Sequence, residues 1–256
     1  MTFPEINFRR MPATLTIAAL VVALEIVCLL EPQRRPYYYN QAGLGILPTI
    51  WMGRWWQPFT TALLHGNLLH AAFNVFWLVT FGWALERRFG SFRYLGLVVL
   101  LAYLSMLPQF VVSNYRQPLD QQIAIVGLSG VVYGLFGILL VGRRRHVELE
   151  MACDSRTVQI LLFWFVLCIG LTYAGLLPVA NTAHGAGLVF GIGYGLVIFD
   201  PRHRPRWLAL VLPPTFVVLA TLVVCPGHRG YEAIRAHQRI QQILENPQPA
   251  PAGQGR

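Results

Sequence analysis

Lysine is absent from this 256-residue sequence, and charged residues of both signs are scarce. Charged residues make up 12% of the chain, against roughly 25% in an ordinary soluble domain. Hydrophobic residues make up 55%. So little charge cannot cover a surface that faces water, which excludes an ordinary soluble domain and indicates a protein of the lipid bilayer.

Cysteine is also scarce, with four residues that lie far apart and mostly within apolar runs. They are Cys28, Cys153, Cys168 and Cys225. None of them shows C-x-x-C or metal-ligand spacing. We interpret them as small buried hydrophobic residues and not as a disulfide framework, and we expect no metal ion and no organic cofactor.

Seven apolar runs have about the length that crosses the hydrocarbon core of a membrane as a helix. They lie at residues 14–30, 66–85, 94–112, 123–141, 157–177, 179–199 and 207–225. The first run follows two arginines, as a signal peptide would, but it lacks a clear small-x-small cleavage site. We therefore predict an all-α membrane protein with seven spans, the first of them uncleaved.

The formal net charge of +9 comes from arginine alone. If the spans alternate in direction, twelve arginines fall on one side of the membrane, whereas the short loops on the other side carry only Arg34, Arg35, Arg54 and Arg116. The twelve are Arg9, Arg10, Arg87, Arg88, Arg93, Arg143, Arg144, Arg145, Arg156, Arg202, Arg204 and Arg206. By the positive-inside rule, this side and the amino terminus are cytoplasmic in a multi-pass protein of the cell membrane. Because the arginines lie in short gaps between spans, orientation signals are favoured over a nucleic-acid partner.

Strongly polar side chains inside a membrane span are costly and by default mark a functional site. Here His70 and Asn74 lie in the second span, Ser129 in the fourth, and Asn181 and His184 in the sixth. These three spans run in the same direction, and each polar group lies near the start of its span. We expect these side chains in the outer part of the membrane, with Ser129 and His184 about 5 to 10 Å below their helix starts.

Small residues repeat at intervals of three and four along the fourth and sixth spans. They are Gly130, Gly134 and Gly137 in the fourth span, and Ala183, Gly187, Gly191 and Gly195 in the sixth. Such faces let two helix backbones approach closely in lipid. Packing of the two faces would bring Ser129 and His184 within hydrogen-bond distance. The alternative is that the small residues only pack the helices and that the serine has no chemical role.

A serine beside a neutral histidine becomes a nucleophile, because the histidine accepts its proton. Acyl transfer also requires donors for the developing oxyanion, and the candidates are His70, Asn74 and the Ser129 amide. A structural hydrogen bond between helices is the alternative for Asn74. No acidic residue is placed to complete a triad, since Glu86 lies roughly 18 Å beyond Asn74 along the second span. The expected machinery is a dyad of Ser129 and His184.

Two further acidic side chains lie outside this group. Asp120 falls in an outer loop, and Glu25 lies inside the first span. We expect the Glu25 carboxyl to be protonated or hydrogen-bonded to another helix, and we assign it no role in the chemistry.

These residues resemble the motifs of the rhomboid intramembrane serine proteases from about Trp56 to Gly195. The similar motifs are His65 with His70-x-x-x-Asn74, Gly82-x-x-x-Glu86-x-x-x-Gly90, Gly127-x-Ser129-Gly130, and Ala183-His184-x-x-Gly187-x-x-x-Gly191. Their order and their positions on the spans make the resemblance specific. The sequence departs from the family at Gln57, because the family's loop usually has arginine after the tryptophan at position 56.

The resemblance implies that Ser129 is the nucleophile, that His184 is the general base, and that His70, Asn74 and the Ser129 amide form the oxyanion hole. It also implies that Tyr133 packs against the catalytic histidine, with an ordinary aromatic contact between helices as the alternative. The fold that it implies is a polytopic helical bundle with a six-helix core and one additional carboxy-terminal transmembrane helix.

We therefore expect four parts in the chain. They are a cytoplasmic segment at 1–13, the six-helix catalytic core at 14–199, the seventh transmembrane helix within 200–226, and a polar, largely disordered tail at 227–256. One short helix near residues 231–244 is expected within that tail.

The expected function is that of a serine endopeptidase that cleaves transmembrane segments of other membrane proteins at a site opening towards the outer face. Its expected partners are these substrates and the lipid bilayer, with no nucleic acid. A non-catalytic rhomboid-like chaperone or adaptor is the alternative, and the presence of both Ser129 and His184 argues against it. A transporter is disfavoured because the two halves of the chain show no repeat and the polar cluster lies near one membrane face.

Overall fold

The computed structural model describes residues 10–36, 39, 50, 53–116, 126–224 and 228–245, and this part of the chain is about 83% helical with no strand. Its α-helices are α1 (Pro12–Leu30), α2 (Gln57–Ala62), α3 (Leu68–Phe89), α4 (Ser91–Arg116), α5 (Ser129–Gly142), α6 (Val147–Ala152), α7 (Ser155–Tyr173), α8 (Asn181–Phe199), α9 (Arg204–Ala220) and α10 (His228–Glu245). Short 3-10 helices follow α1 and α8, at Pro32–Arg34 and Pro201–His203. The all-helical prediction is confirmed.

Seven of these helices overlap the predicted spans. Among the described helices, α1, α3, α4, α7 and α8 are long and apolar enough to cross a membrane. α5 is apolar but has 14 residues, and α9 has 17 residues with Pro213 and Pro214 inside it. The chain is a polytopic helical membrane protein, as its composition predicts.

The fourth span begins later than predicted. α5 starts at Ser129, whereas the hydropathy pattern predicts a helix from residue 123. Gly127 has a φ of 121°, which interrupts helical geometry and which glycine adopts without a Cβ clash. Residues 123–125 lie outside the described part of the chain. The hydroxyl of Ser129 therefore stands at the first position of its helix and not 5 to 10 Å below the helix start.

The last two helices also differ from the prediction in their bounds. α9 ends at Ala220, before the predicted end at residue 225, and Cys225 lies outside the described residues. The short helix predicted near residues 231–244 is present as α10, which is slightly longer. The predicted disorder of the tail falls on residues 246–256, which also lie outside the described part.

Glu86, near the end of α3, caps the start of α1. Its carboxylate accepts hydrogen bonds from the amides of Ala13 and Thr14, both at 2.8 Å, and from the Thr14 hydroxyl at 2.6 Å. The first amides of a helix have no intrahelical acceptor, and a negative charge lies favourably at the positive end of the helix dipole. This contact joins the first two spans at their arginine-rich ends.

Glu25 has a partner that the sequence did not indicate. Its side chain is 3% exposed and forms an ion pair of 2.8 Å with Arg35, in the segment that follows α1. The expectation of a bond to another membrane helix is therefore wrong, because a cation ten residues later in the chain folds back over the helix end. Arg35 also donates to the carbonyl of Gly66 at 2.7 Å, which ties this segment to the turn before α3.

α5 lies at the centre of the bundle and packs closely against α8. A Cβ atom on Gly187 would overlap the carbonyl oxygen of Gly130, and a Cβ atom on Gly191 would overlap that of Gly134. The two backbones are thus in direct contact along the predicted small-residue faces. This close approach places the starts of α5 and α8 side by side.

α7 and α9 lie at the edges of the bundle. Of the α7 side chains, those of Thr157 and Leu161 are buried. α9 is fastened to α8 by the hydroxyls of Tyr194 and Thr215, which are 3.0 Å apart, and by the contact of Val211 with Gly193. The start of α5 is therefore surrounded by α3, α4 and α8.

Candidate active site

Ser129 is placed by the turn that precedes α5. It is half-buried, and as the first residue of the helix it has a backbone N–H without an intrahelical acceptor. The positive φ of Gly127 turns the chain into the helix at this point. Hydroxyl and amide thus lie together at the positive end of a helix, which is suited to a developing negative charge.

His184 lies in the first turn of α8, opposite Ser129. Its Nε2 atom is 2.7 Å from Ser129 Oγ, although the two residues are 55 positions apart in the chain. The histidine is 5% exposed. The sequence places these two side chains at similar depth on facing helices, and the structure brings them into hydrogen-bond contact. With Nε2 as the acceptor, the remaining ring proton is on Nδ1.

No carboxylate among the described residues bonds to the other side of this ring. His184 Nδ1 is buried and has no hydrogen-bond partner in that part of the chain. Glu86 is engaged at the start of α1, and Asp120 lies outside the described residues. Within the described part, the arrangement is a pair of serine and histidine.

The ring of Tyr133, one turn after Ser129, lies against the imidazole of His184. The ring centroids are 4.8 Å apart with an angle of 36° between the planes. The tyrosine hydroxyl donates to the carbonyl of Leu161 on α7 at 3.1 Å, which fixes the ring from its far end. Tyr133 thus covers one face of the histidine and connects it to the neighbouring helix.

His70 and Asn74 lie one turn apart at the start of α3. The helix begins here because Asn67 caps it, with the Asn67 side chain accepting the His70 amide at 2.8 Å. The His70 ring lies directly against Gly127, whose missing side chain leaves the space. Asn74 is buried, and its side-chain amide donates to the His70 carbonyl at 3.0 Å. Neither side chain hydrogen-bonds to Ser129 within the described residues.

His65 supports the turn before Ser129 and had no predicted role beyond its place in the motif. Its Nε2 accepts the amide of Leu128 at 3.3 Å, and its Nδ1 lies 3.3 Å from the carbonyl of Leu63. Burial lowers the pKa of His65 to about 3, so the ring is neutral at ordinary pH. The neutral tautomer with a proton on Nδ1 satisfies both contacts.

Gln109 is a contact of the site that the sequence analysis missed. It lies in α4, and its side-chain oxygen accepts the amide of Ala183 at 3.0 Å, next to His184 in the first turn of α8. Its side-chain nitrogen donates to Ser113 at 3.0 Å. A strongly polar residue inside the third span is the signal that would have found it.

Asn181, the fifth polar residue predicted to lie in a span, holds two helix ends together. Its side-chain amide donates to the hydroxyl of Thr172 on α7 at 2.8 Å. The structure thus assigns it a contact between α7 and α8, and not a contact with the serine. Gln57 is buried at the start of α2, and close to it Tyr103 donates to the Trp55 carbonyl at 2.9 Å.

Fold and site together define a class of polytopic helical membrane proteins in which a serine hydroxyl and a histidine ring meet near one end of the bundle. The family model of the Rhomboid domain matches residues 52–201, which is more than half of the chain. The chain belongs to the rhomboid family. The match begins after α1 and ends before α9, so those two helices lie outside it.

Similar proteins also carry the name of the rhomboid family. The chain is 33% identical over 151 residues to Rhomboid protease GlpG of Serratia proteamaculans (strain 568), covering 58% of this chain and 49% of that protein. It is 32% identical over 148 residues to the protein of that name from Photorhabdus laumondii, covering 58% and 48%. It is 31% identical over 199 residues to Rhomboid protease GlpG of Yersinia pestis (strain Pestoides F). That match covers 76% of this chain and 65% of the relative. The chain thus spans from about half to just under two thirds of the length of these relatives.

Proposed function

We propose that this protein is an intramembrane serine endopeptidase that cleaves transmembrane segments of other membrane proteins. The observation that carries the proposal is the 2.7 Å contact between Ser129 Oγ and His184 Nε2 inside a helical membrane bundle. Membership of the rhomboid family and the similarity to relatives named as rhomboid proteases support it. No metal or organic cofactor enters the proposed reaction.

In the proposed first step, Ser129 Oγ attacks the carbonyl carbon of the scissile peptide bond while His184 Nε2 takes its proton. The carbonyl oxygen becomes an oxyanion, with the Ser129 amide and the side chains of His70 and Asn74 as its proposed donors. His184 then gives the proton to the leaving amine, and the peptide bond breaks. A water molecule attacks the acyl-enzyme with His184 again as the base, which releases the second product and restores the hydroxyl.

In the proposed dyad, the histidine ring is held by packing and hydrogen bonds around it, without the carboxylate that a catalytic triad would have. In place of a carboxylate, the Tyr133 ring lies on the imidazole, and Gln109 holds the backbone beside it. These contacts fix the position of the ring without adding a charge. The absence of a carboxylate contact at Nδ1 among the described residues is why we propose a dyad and not a triad.

The position of the pair at the starts of α5 and α8 supports cleavage near one membrane face. A substrate helix hides its carbonyls in internal hydrogen bonds, so it must unwind before Ser129 can reach one. Glycine, proline and other weak helix formers near the scissile bond should favour cleavage. With the arginine-rich end of the bundle in the cytoplasm, this face is the outer one and the amino terminus is cytoplasmic.

We assign the catalytic core to residues 14–199 and α9, within residues 200–226, to an additional span. α9 carries none of the residues proposed for the chemistry. The alternative function is that of a non-catalytic rhomboid-like chaperone or adaptor. Such a protein has no need of a buried histidine that accepts a hydrogen bond from a serine hydroxyl.

Labelling with a fluorophosphonate probe tests the proposed nucleophile. The wild-type protein should be labelled, Ser129→Ala should not, and His184→Ala should react far more weakly because the hydroxyl lacks its base. Ser105→Ala is the matched control, since Ser105 is a buried serine in α4 that bonds to its own helix. Equal labelling of wild type and Ser129→Ala would contradict the mechanism.

A further inference from the structure

A cavity of about 1080 Å³ opens at the arginine-rich end of the bundle, away from Ser129. It lies between the end of α3, the turn that joins α5 to α6, and the end of α8. None of the residues proposed for peptide-bond cleavage lines it. The cavity is therefore separate from the site proposed for peptide-bond cleavage.

Three arginines line the cavity, and the positions of two of them are fixed by aromatic rings. The Arg87 guanidinium lies 5.3 Å from the centre of the Trp83 ring, and that of Arg88 lies 5.6 Å from the centre of the Phe199 ring. Stacking of this kind holds a cation in place without neutralising it. The third, Arg145, lies in the turn after α5.

The carboxylates near these arginines do not balance their charge. Arg88 pairs with Glu148 at 3.1 Å, and within the described residues Arg87 has no ion pair. Arg145 lies 3.9 Å from Asp200, whose other oxygen accepts hydrogen bonds from His203 and Trp207. Of the lining residues, three are cationic and one, Glu148, is anionic. Arg87 thus has no carboxylate partner among the described residues, and the carboxylate near Arg145 is shared with His203 and Trp207.

Apart from His146 and Glu148, the remaining wall of the cavity is apolar. Trp83, Phe89, Met151, Ile198 and Phe199 line it beside the arginines. An inorganic anion would contact only the arginines. An apolar wall beside them is complementary to a molecule that has a negatively charged head and a hydrocarbon chain. The arginines also lie in the last turn of α3 and beyond the end of α5, where spanning helices leave the hydrocarbon for the headgroup layer.

We propose that this cavity binds an anionic glycerophospholipid. Arg87 and Arg145 bind the phosphate, Arg88 is held beside them by Glu148, and the apolar wall formed by Trp83, Met151 and Phe199 contacts the beginning of an acyl chain. Guanidinium groups suit this role because their planar donors match phosphate oxygens in pairs. The bound lipid would join α3, α6 and α8 at the end of the bundle opposite the serine.

Native mass spectrometry of the purified 256-residue protein tests this proposal. Titration with dioleoylphosphatidylglycerol should show one saturable site of higher affinity than any for dioleoylphosphatidylcholine. Arg87→Gln combined with Arg145→Gln should weaken that site about thirtyfold, and Arg87→Gln alone about fivefold, since each basic group near an anionic surface contributes about fivefold. Melting temperatures close to wild type would show that the variants are folded.

The matched control is Arg93→Gln combined with Arg156→Gln. It removes two exposed arginines from the same end of the bundle, outside the cavity, and so changes the net charge equally. Unchanged lipid affinity in this control supports the site. If lipid affinity falls equally in both double variants, the lipid responds only to the net charge of this end of the bundle, and the proposal is overturned. Competition by glycerol 3-phosphate as strong as that by the lipid would show a phosphate site without a lipid, and equal binding of both lipids would exclude anion recognition.

Discussion

At the scale of single residues, Asn74 provides the sharpest test of the proposed oxyanion hole. One N–H of its side-chain amide donates to the His70 carbonyl, which leaves the second N–H for an oxyanion. Because that charge exists only as the carbonyl becomes tetrahedral, Asn74→Ala should lower the single-turnover cleavage rate by up to about 10²- to 10³-fold. Affinity for a transmembrane substrate, measured on the Ser129→Ala background, should not change.

Thermal melting of Asn74→Ala is the control for this prediction. Asn74 is 1% exposed, and its loss could instead loosen the bundle around α3. A loss of activity that follows the loss of stability would show that Asn74 is a structural residue. Cleavage at the wild-type rate would remove the amide from the oxyanion hole.

His65 should make the stability of the protein depend on pH. Its pKa falls from the ordinary value of 6.5 to about 3 in the folded protein, so the unfolded chain binds a proton more readily between these values. The contribution of neutral His65 is therefore complete above pH 6.5 and is lost as the pH falls towards 3. At pH 5 the loss amounts to about 2 kcal/mol.

Melting temperatures between pH 7.5 and pH 5 check this prediction in detergent. His65→Gln keeps an acceptor near Leu128 but does not titrate, so its melting temperature should fall less with acid than that of the wild type. The other histidines are present in both proteins, so the comparison isolates the substitution at position 65. An identical pH dependence of the two proteins would show that the His65 ring is already protonated or exposed.

The sequence is sufficient to predict that His184 meets Ser129, but it does not indicate Gln109 or most of the other bonds near the serine. Polar groups in apolar spans are conspicuous because their burial is costly, and His184 and Asn74 stand out for this reason. The contacts of Gln109 with Ala183 and of Glu86 with Thr14 join residues 74 and 72 positions apart. Both contacts use backbone amides, which every residue except proline has, so no residue type in the sequence indicates them.

At the scale of helices, the contact between α5 and α8 should not tolerate a single added methyl group. In Gly191→Ala the new Cβ would overlap the backbone of Gly134, which cannot move aside as a flexible side chain can. The helices would have to separate, and with them the hydroxyl and the imidazole. We expect a loss of roughly 1 to 3 kcal/mol in stability and a large loss of cleavage.

Gly96→Ala is the matched control for this helix contact. Gly96 also lies in a membrane helix, but a Cβ atom there meets nothing within 4 Å. Thermal melting and cleavage should both remain close to wild type, within about 0.5 kcal/mol in stability. Similar damage in the two variants would mean that the close backbone approach does not determine the site.

Hydropathy predicts where the membrane helices lie in the sequence, but it predicts their first and last residues less accurately. Apolar runs of the required length are strong signals, whereas the start of α5 depends on the backbone of Gly127. Glycine is compatible with both a continuing helix and a positive φ, and the apolar run continues through it. Tertiary contacts determine that the backbone turns at Gly127 and that the helix starts after it. These contacts are the His70 ring against Gly127 and the hydrogen bond from the Leu128 amide to His65.

At the scale of the whole molecule, the arrangement of arginines predicts the orientation in the membrane. A reporter that is active only outside the cytoplasm should be inactive when fused after Arg145 and active when fused after Gly175, in the turn between α7 and α8. The reason is that the loops on the arginine-rich side stay in the cytoplasm. A fusion after Arg202 should behave like the one after Arg145. The reverse pattern would place the proposed active site at the inner face.

The hydrogen bonds between Glu86 and the first turn of α1 also impose an order on biosynthesis. Ala13 and Thr14 leave the ribosome well before Glu86, which follows them by 73 and 72 residues. During that interval the start of the first helix is without its carboxylate, although the helix itself is complete once Leu30 has been added. The amino-terminal helix therefore reaches its final position only after the second span has been translated, so insertion of the first helix and its fastening to the bundle are separate events.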